Sequence, residues 1–265
     1  TSAISQAISV TTSGTYTVTV TDSNGCTAQA SQAITASTDA TTIASVNNDY
    51  TMTFNGTDQY VDANYNSLNF NSGMSISSWF KWDGSTVGTG DNSISIISRW
   101  SANSYFGSNG KQFLLRLTNA TPNIQLLVSS NGSSNTIYTG STSITSGIWH
   151  HVAVTWDTNT YKVILNGNTS NPEISQSNTN APFNTTTTPN IVIGATYGNS
   201  APSLLQHWAG SLDEVAIWDS ALSSCDIKGI YEATTTVSGQ PKIANLLDAN
   251  TTIPAPVYWN RMGDS

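Results

Sequence analysis

Only 9% of the 265 residues are charged, while Ser, Thr and Asn supply 103 of them, and eight Trp and ten Tyr give enough apolar mass for a core, which excludes wholesale disorder. The net charge is −8 and the eight Lys and Arg are scattered singly, so no basic track exists for a phosphate backbone and nucleic acid is excluded as a partner. No apolar run approaches the ~20 residues of a membrane-spanning helix, which excludes insertion by that route.

Thr, Val, Ile and aromatic residues outweigh good helix formers, a balance that favours strands throughout. The hydroxyl-rich, acidic, weakly charged surface suits a protein working outside the cell, at a cell or virion surface. The chain starts at Thr1 inside a repetitive polar pattern and reads as a piece of something longer.

In chain order, TYTVTVT puts Tyr16, Val18 and Val20 on one face of a half-buried strand. Ser23-Asn24-Gly25 forms a tight turn, and TAQASQAI returns as a second strand. Two strands cannot bury a core alone. Residues 1–37 therefore read as the end of a larger β unit, and 38–48, which lack any period, as a linker.

From Asp49 the pattern changes. YTMTFNGTDQYVDA, SISSWFKWDG, NSISIISRW, KQFLLRL, NIQLLVSS, WHHVAVTWD, YKVILNG, PNIVIGA and GSLDEVAIW are short strand candidates separated by Gly, Asn, Asp or Ser turns. That is the signature of an all-β sandwich. One helix is expected, in ALSSCDIKGIYEA at 221–233, where a Ser can cap the start and Leu222, Ile227, Ile230 and Tyr231 recur near helical spacing. Residues 234–265 read as a linker or the start of a next module.

Two resemblances follow. SGTYTVTVTDSNGC resembles the closing hairpin of Ig-like repeats in large surface proteins of Bacteroidetes and in phage structural proteins. That resemblance implies a partner for Cys26 near the start of the repeat, outside this chain, with Cys225 as the second choice. FNGTDQYVDA, ISSWFKW, GIWHHVAVTWDTNTYKVILNG and GSLDEVAIWDSALSSCDIKGIY, in that order, resemble the LamG-like, concanavalin A-like jelly roll of bacterial and phage surface proteins. The fold this implies over 49–233 is a jelly-roll β-sandwich with one short helix near its end. PVYWNRMGDS resembles the WRMGD segments that follow such domains.

Chemistry was sought first at His150 and His151. Neighbours in a strand point to opposite faces, so the two rings cannot serve one ligand. A retaining glycosidase needs carboxylates ~5 Å apart on one face. The three glutamates, Glu173, Glu214 and Glu232, have no such partner; Asp213 and Glu214 are adjacent and expected on opposite faces; and Asp58 and Asp62 lie some ~13 Å apart along a strand. The expectation is a non-enzyme.

Asp213 shares its alternation with Val215 and Ile217, so it is expected at the rim of an inward apolar face, where a carboxylate needs a cation or N–H donors. The jelly-roll resemblance implies a structural Ca²⁺ there, held with Asp49 or Asn47 and a backbone carbonyl near Gly56. The alternative reading is an Asp that caps a strand end.

Sugar rings stack on aromatic faces in polar loops. RWSANSYFGSNGK offers Trp100, Tyr105 and Phe106, and ATYGNSAPSLLQHW offers Tyr197, Asn199, Gln206 and Trp208. Trp100, Tyr105, Tyr197, Asn199 and Trp208 are the candidate ligand-binding set. Trp79, Trp82, Trp149, Trp156 and Trp218 are assigned to the core. The function these readings imply is adhesion or recognition of a glycan or other surface polymer. The competing expectation is a structural brick whose partners are copies of itself or other virion or surface proteins.

Overall fold

The computed structural model describes residues 14–21, 23, 25–34, 45–65, 67–68, 70–85, 93–101, 110–118, 121–182, 189–198, 203–233, 235–237, 240–248 and 251–264. The chain divides into two units, Thr1–Thr41 and Thr42–Ser265. The first contains a hairpin of β1 (Gly14–Thr21) and β2 (Thr27–Ile34), paired from Gly14↔Ile34 to Thr21↔Thr27. The Thr17 and Ser31 hydroxyls bond across the ladder at 2.8 Å. Val20, on the face expected to be half-buried, is 63% exposed.

The second unit opens with β3 (Ser45–Asn47), β4 (Met52–Asn55), β5 (Val61–Asp62), β6 (Met74–Trp82) and β7 (Ser93–Trp100). It continues through β8 (Lys111–Thr118), β9 (Asn123–Val128), β10 (Thr136–Ser143), β11 (His150–Trp156), β12 (Thr160–Leu165) and β13 (Ile174–Ser177). The short strands β14 (Val192–Ile193), β15 (Thr196–Tyr197) and β16 (Leu204–Leu205) lead to the long β17 (Ala209–Trp218) and the helix α1 (Ser224–Glu232). β18 (Thr235–Val237), β19 (Gln240–Ala244) and β20 (Tyr258–Asn260) follow.

Two sheets carry this unit. One has the order β10-β9-β8-β7-β14-β5; the other has the order β13-β12-β11-β6-β17-β20, with β4 also on β17. Alternation decides what lies between them. Met74, Ile76, Phe80 and Trp82 from β6, Val152, Val154 and Trp156 from β11, and Leu212, Val215 and Ile217 from β17 join Phe113, Leu115 and Leu117 from β8 in one buried core.

The seven-stranded sheet is also covered on its other face. Ala153, Ile164, Ala216 and Trp218 pack there against Leu222, Ile227 and Ile230 around α1 and Ala244 and Leu246 near β19. The helix starts where the sequence places it. Ser223 accepts from the Asp226 N–H while the Asp226 carboxylate accepts from the Ser223 N–H, a closed capping box. A small three-stranded sheet, β18-β19-β3, completes this outer layer.

The tail corrects the sequence reading. Residues 258–260 are a strand of the second sheet, β20, paired with Val215–Ile217, and Met262 is 2% exposed in the main core. These residues of the segment read as a linker or next module belong to the sandwich. One edge of β17 is thus shared end to end: β4 takes Ala209–Leu212 and β20 takes Val215–Ile217. Asp213 and Glu214 lie in the gap between them.

Cys225 and Cys26 are both exposed. Among the described residues no helix is long and apolar enough to cross a membrane.

Candidate functional site

The gap in the β17 edge is also a β-bulge. Asp213 pairs with Trp79 and Ala216 with Ser77, so an extra residue is inserted between them. Glu214 takes it up at φ +52°, a left-handed conformation unusual for a side chain of this size. The strict alternation that set Asp213 beside Val215 fails here. Leu212 and Val215 both face the main core, and Asp213 faces the opposite, outer side with Trp79. Glu214 also lies on the outer side, beside Ser77, Trp79 and Ile230. The two carboxylates expected on opposite faces therefore share one.

Both are almost fully buried and each has its own partners. Asp213 Oδ2 accepts from Asn48 Nδ2 at 2.8 Å, and Oδ1 from the Glu214 N–H at 2.9 Å. Glu214 accepts from the Trp259 indole N–H at 2.6 Å and from Arg261 Nε at 3.4 Å. Arg261 reaches on to the Asn47 carbonyl, and Asp264 accepts from the Asp49 N–H at 3.1 Å. Burial pushes the Asp213 carboxyl up to about 7 against the pull of its hydrogen bonds. Burial and the neighbouring Asp213 push Glu214 up to about 8.

Beside this network a cleft of about 300 Å³ opens on the outer face. Trp79 of β6, Trp149 just before β11 and Asp213 line it from the sheet; Asn48, Asp49, Tyr50 and Thr51 from the β3–β4 link; and Ile243 from β19. Trp79 and Trp149, assigned to the core from sequence, are instead half-buried cleft walls, whereas Trp82, Trp156 and Trp218 are core. Alternation did hold a signal: Trp79 lies out of phase with the inward Phe80 and Trp82.

The wall is braced from behind. Tyr231 of α1 stacks on Trp79, with centroids 5.6 Å apart and planes 16° apart. His151 packs against both rings. It is fully buried, its Nε2 lies 2.8 Å from the Ser77 hydroxyl, and its Nδ1 is without a hydrogen-bond partner. Burial pushes its pKa down to about 3. Trp79 and Tyr231 cover this Ser–His pair, and both of its residues are buried. His150, on the opposite face as expected, stacks on Phe80 and bonds Asn166 Nδ2 and the Thr145 carbonyl.

The described members of the candidate ligand set, Trp100, Tyr197 and Trp208, do not line the cleft. Trp208 is fully buried in the main core, edge-on to Phe80, so its ring is unavailable to a ligand. Trp100 is 5% exposed and packs with Leu114 and Leu127 on the outer face of the six-stranded sheet. Tyr197 is half-buried beside it, through the Ser101↔Tyr197 bridge. Tyr105, Phe106 and Asn199 lie outside the described residues.

The calcium trio is not assembled either. The register Ala209↔Asn55 to Leu212↔Met52 places Asp213 level with Thr51. Gly56 is then five positions away, roughly 17 Å along the strand. Asp49 does line the cleft with Asp213. The donor set does not fit a cation: both Asp213 oxygens are taken by N–H groups, and Arg261 supplies positive charge next door. Among the described residues no three His, Cys, Asp or Glu side chains converge as metal ligands.

Residues 55–228 match the family described as the concanavalin A-like lectin/glucanases superfamily, of laminin-G type. The chain belongs to this superfamily. No curated protein sequence matches it. Among solved structures it is similar to a Ruminococcus gnavus sialidase CBM40 bound to α2,3-sialyllactose, at 16% identity and TM-score 0.51, over 71% of this chain and 96% of that one. A Bacteroides ovatus protein provisionally described as carbohydrate-binding is similar at 14% identity and TM-score 0.51, over 89% and 68%. The NanB sialidase of Streptococcus pneumoniae is similar at 13% identity and TM-score 0.53, over 69% of this chain but only 27% of that enzyme. At these identities the likeness is one of fold.

Proposed function

We propose that this superfamily member is a non-catalytic recognition module, working outside the cell at a cell or virion surface, that holds a glycan in the Trp79–Trp149 cleft. One observation carries the reading. Two indoles and the exposed Tyr50 line a cavity that the polar residues Asn48, Asp49, Thr51 and Asp213 also line. Apolar ring faces with a few fixed polar groups are what a sugar requires, since its C–H faces stack while its hydroxyls exchange hydrogen bonds. The CBM40 neighbour, bound to a sialylated sugar, lends a precedent for the fold and none for the residues.

The non-catalytic half rests on how the glutamates are used. Glu173 accepts from the Ser141 and Thr142 N–H groups, Glu214 from Trp259 and Arg261, and Glu232 lies on the exposed face of α1 beside Lys228. None of them is a cleft wall.

A glycan array probed with the whole chain, alongside Trp79→Ala and Trp149→Ala, tests the reading. Expected are binding by the parent without glycan cleavage and loss of binding in both variants. Absence of any binding by the parent, with concentration-dependent association by sedimentation, would replace it with the self-assembling brick.

A further inference from the structure

Resting on that reading, we propose that the turn at residues 261–264 positions one wall of the cleft, so that docking of the tail and binding of a glycan are coupled. The wall is residues 48–51, which lie between β3 and β4 and outside either strand. A segment without a ladder of its own needs other partners for its backbone groups. The tail supplies them. The Asp264 carboxylate accepts from the Asp49 N–H at 3.1 Å, and Arg261 Nη2 donates to the Asn47 carbonyl. Gly263 packs its backbone against Tyr50, where a Cβ on the glycine would fall 3.1 Å from the Tyr50 Cβ. Arg261, Gly263 and Asp264 are not cleft walls themselves, so they act through Asn48, Asp49 and Tyr50 and not on a ligand.

The turn is stiff enough to serve as a bracket. On its sheet side β20 is paired with Val215–Ile217, Met262 is buried in the main core, and Arg261 Nε lies 3.4 Å from the Glu214 carboxylate. Within it, Asn260 Oδ1 accepts from the Met262 N–H at 2.9 Å, and the Asp264 N–H donates to the Arg261 carbonyl at 3.3 Å. The link at 48–51 therefore takes its order from the sheet through the tail. Trp79 and Asp213 need no such help, because they stand on β6 and β17. Tyr50 is 64% exposed and gains most from the bracket, since no core holds its ring. A wall ordered before the sugar arrives spares the sugar the entropic cost of ordering it, which appears as affinity. Such coupling is reciprocal: if a docked tail tightens binding, a bound glycan holds the tail down.

Amide hydrogen exchange on the whole chain tests the bracket without any ligand. In Asp264→Ala, exchange over residues 48–51 should quicken while β8 and β9, in the other sheet, exchange as in the parent. Asp264→Asn keeps an oxygen for the Asp49 N–H and should restore the parent pattern. Gly263→Ala, which crowds Tyr50, should act in the same direction as Asp264→Ala. Binding is then read by titrating the array oligosaccharide that the parent holds best. Asp264→Ala should weaken it about tenfold, within the usual range of coupling between linked sites, and Asp264→Asn should bind as the parent does. The same oligosaccharide at saturation should slow exchange at Asp49 and over residues 258–260. Unchanged exchange over 48–51 in Asp264→Ala, or an equal quickening in β8 and β9, overturns the proposal. So does parent-like binding by Asp264→Ala, or a loss in Asp264→Asn as large as in Asp264→Ala. A blank array with the parent removes the glycan reading alone, and the exchange arm still decides whether the tail holds the wall.

Discussion

Tyr231 lies parallel to Trp79, 5.6 Å from it, and Gly167 makes room for that stack. A Cβ on Gly167 would fall 2.4 Å from the Tyr231 ring, and the glycine sits at φ +67° in the Asn166–Gly167 turn. Gly167→Ala therefore drives the phenol off the indole and strains the turn, at a cost of about 1–3 kcal/mol. Tyr231→Ala loses the stack itself. Both should weaken glycan binding several-fold without touching ligand, while Tyr231→Phe, which keeps the ring, should bind as the parent does. Titration calorimetry beside thermal melts separates the two effects. Weakening by Tyr231→Phe equal to that by Tyr231→Ala would show that the stack is not what positions Trp79.

The sandwich was readable because its long strands obey one period. In WHHVAVTWD the inward Val152, Val154 and Trp156 and the outward His151 and Ala153 fall where alternation puts them, and Ser223 caps the one helix. The cleft was not readable because its walls depend on breaks in that period. Nothing in LDEVA announces that Glu214 adopts φ +52°, since a left-handed position is signalled by Gly or Asn, and the bulge reverses the face of Asp213. Alternation put Trp79 and Trp149 out of phase with the inward residues, yet the sequence reading assigned both to the core. That the outer face is a second packed layer, with an opening beside Trp79, depends on contacts with α1 and β19, far away in sequence. The three-residue β20 is too short to show a period at all.

Glu214 binds the tail to the sheet, so the tail should be indispensable. Above pH 8, where Glu214 is ionised, Arg261→Ala leaves a buried carboxylate with the Trp259 N–H as its remaining strong donor, and removing one partner of such a pair costs about 3–5 kcal/mol. Glu214→Gln added to Arg261→Ala should recover part of that loss, because the uncompensated charge is gone. Deleting residues 251–265 should lower the melting temperature further than either. A truncated chain that melts with the parent would show that β20 and Met262 contribute nothing to the sandwich.

Stability should fall as pH rises above neutrality. Asp213 and Glu214 have folded-state values raised to about 7 and about 8, well above those of unfolded carboxyls. Between the unfolded and folded values the native state holds more protons, so stability declines with pH until the folded values are passed. His151, lowered to about 3, works in the other direction and only below the unfolded histidine value near 6.5. From pH 6.5 to 9 the acids therefore act alone among these three. Chemical denaturation across that window should show a loss on the order of 2 kcal/mol or more, largely abolished in Asp213→Asn/Glu214→Gln. A flat profile for the parent would mean that neither acid is protonated in the folded state.

Calcium should leave the stability of this site unchanged. A structural Ca²⁺ would need oxygen ligands around Asp213, six or more in all. What surrounds this carboxyl is the Asn48 amide N–H, the Glu214 backbone N–H and the charge of Arg261, while Gly56 sits at the far end of the β4–β17 ladder. Groups that donate hydrogens to a carboxylate do the work a cation would otherwise do, and a guanidinium beside it repels one. Melts in excess EDTA and in millimolar CaCl₂ should therefore agree within about a degree, since a site filled at a hundred times its Kd would add about 2.7 kcal/mol of stability. A clear downward shift with EDTA, erased by Asp213→Ala, would require Asp213 and Asp49 to rearrange around an ion and would restore the calcium reading.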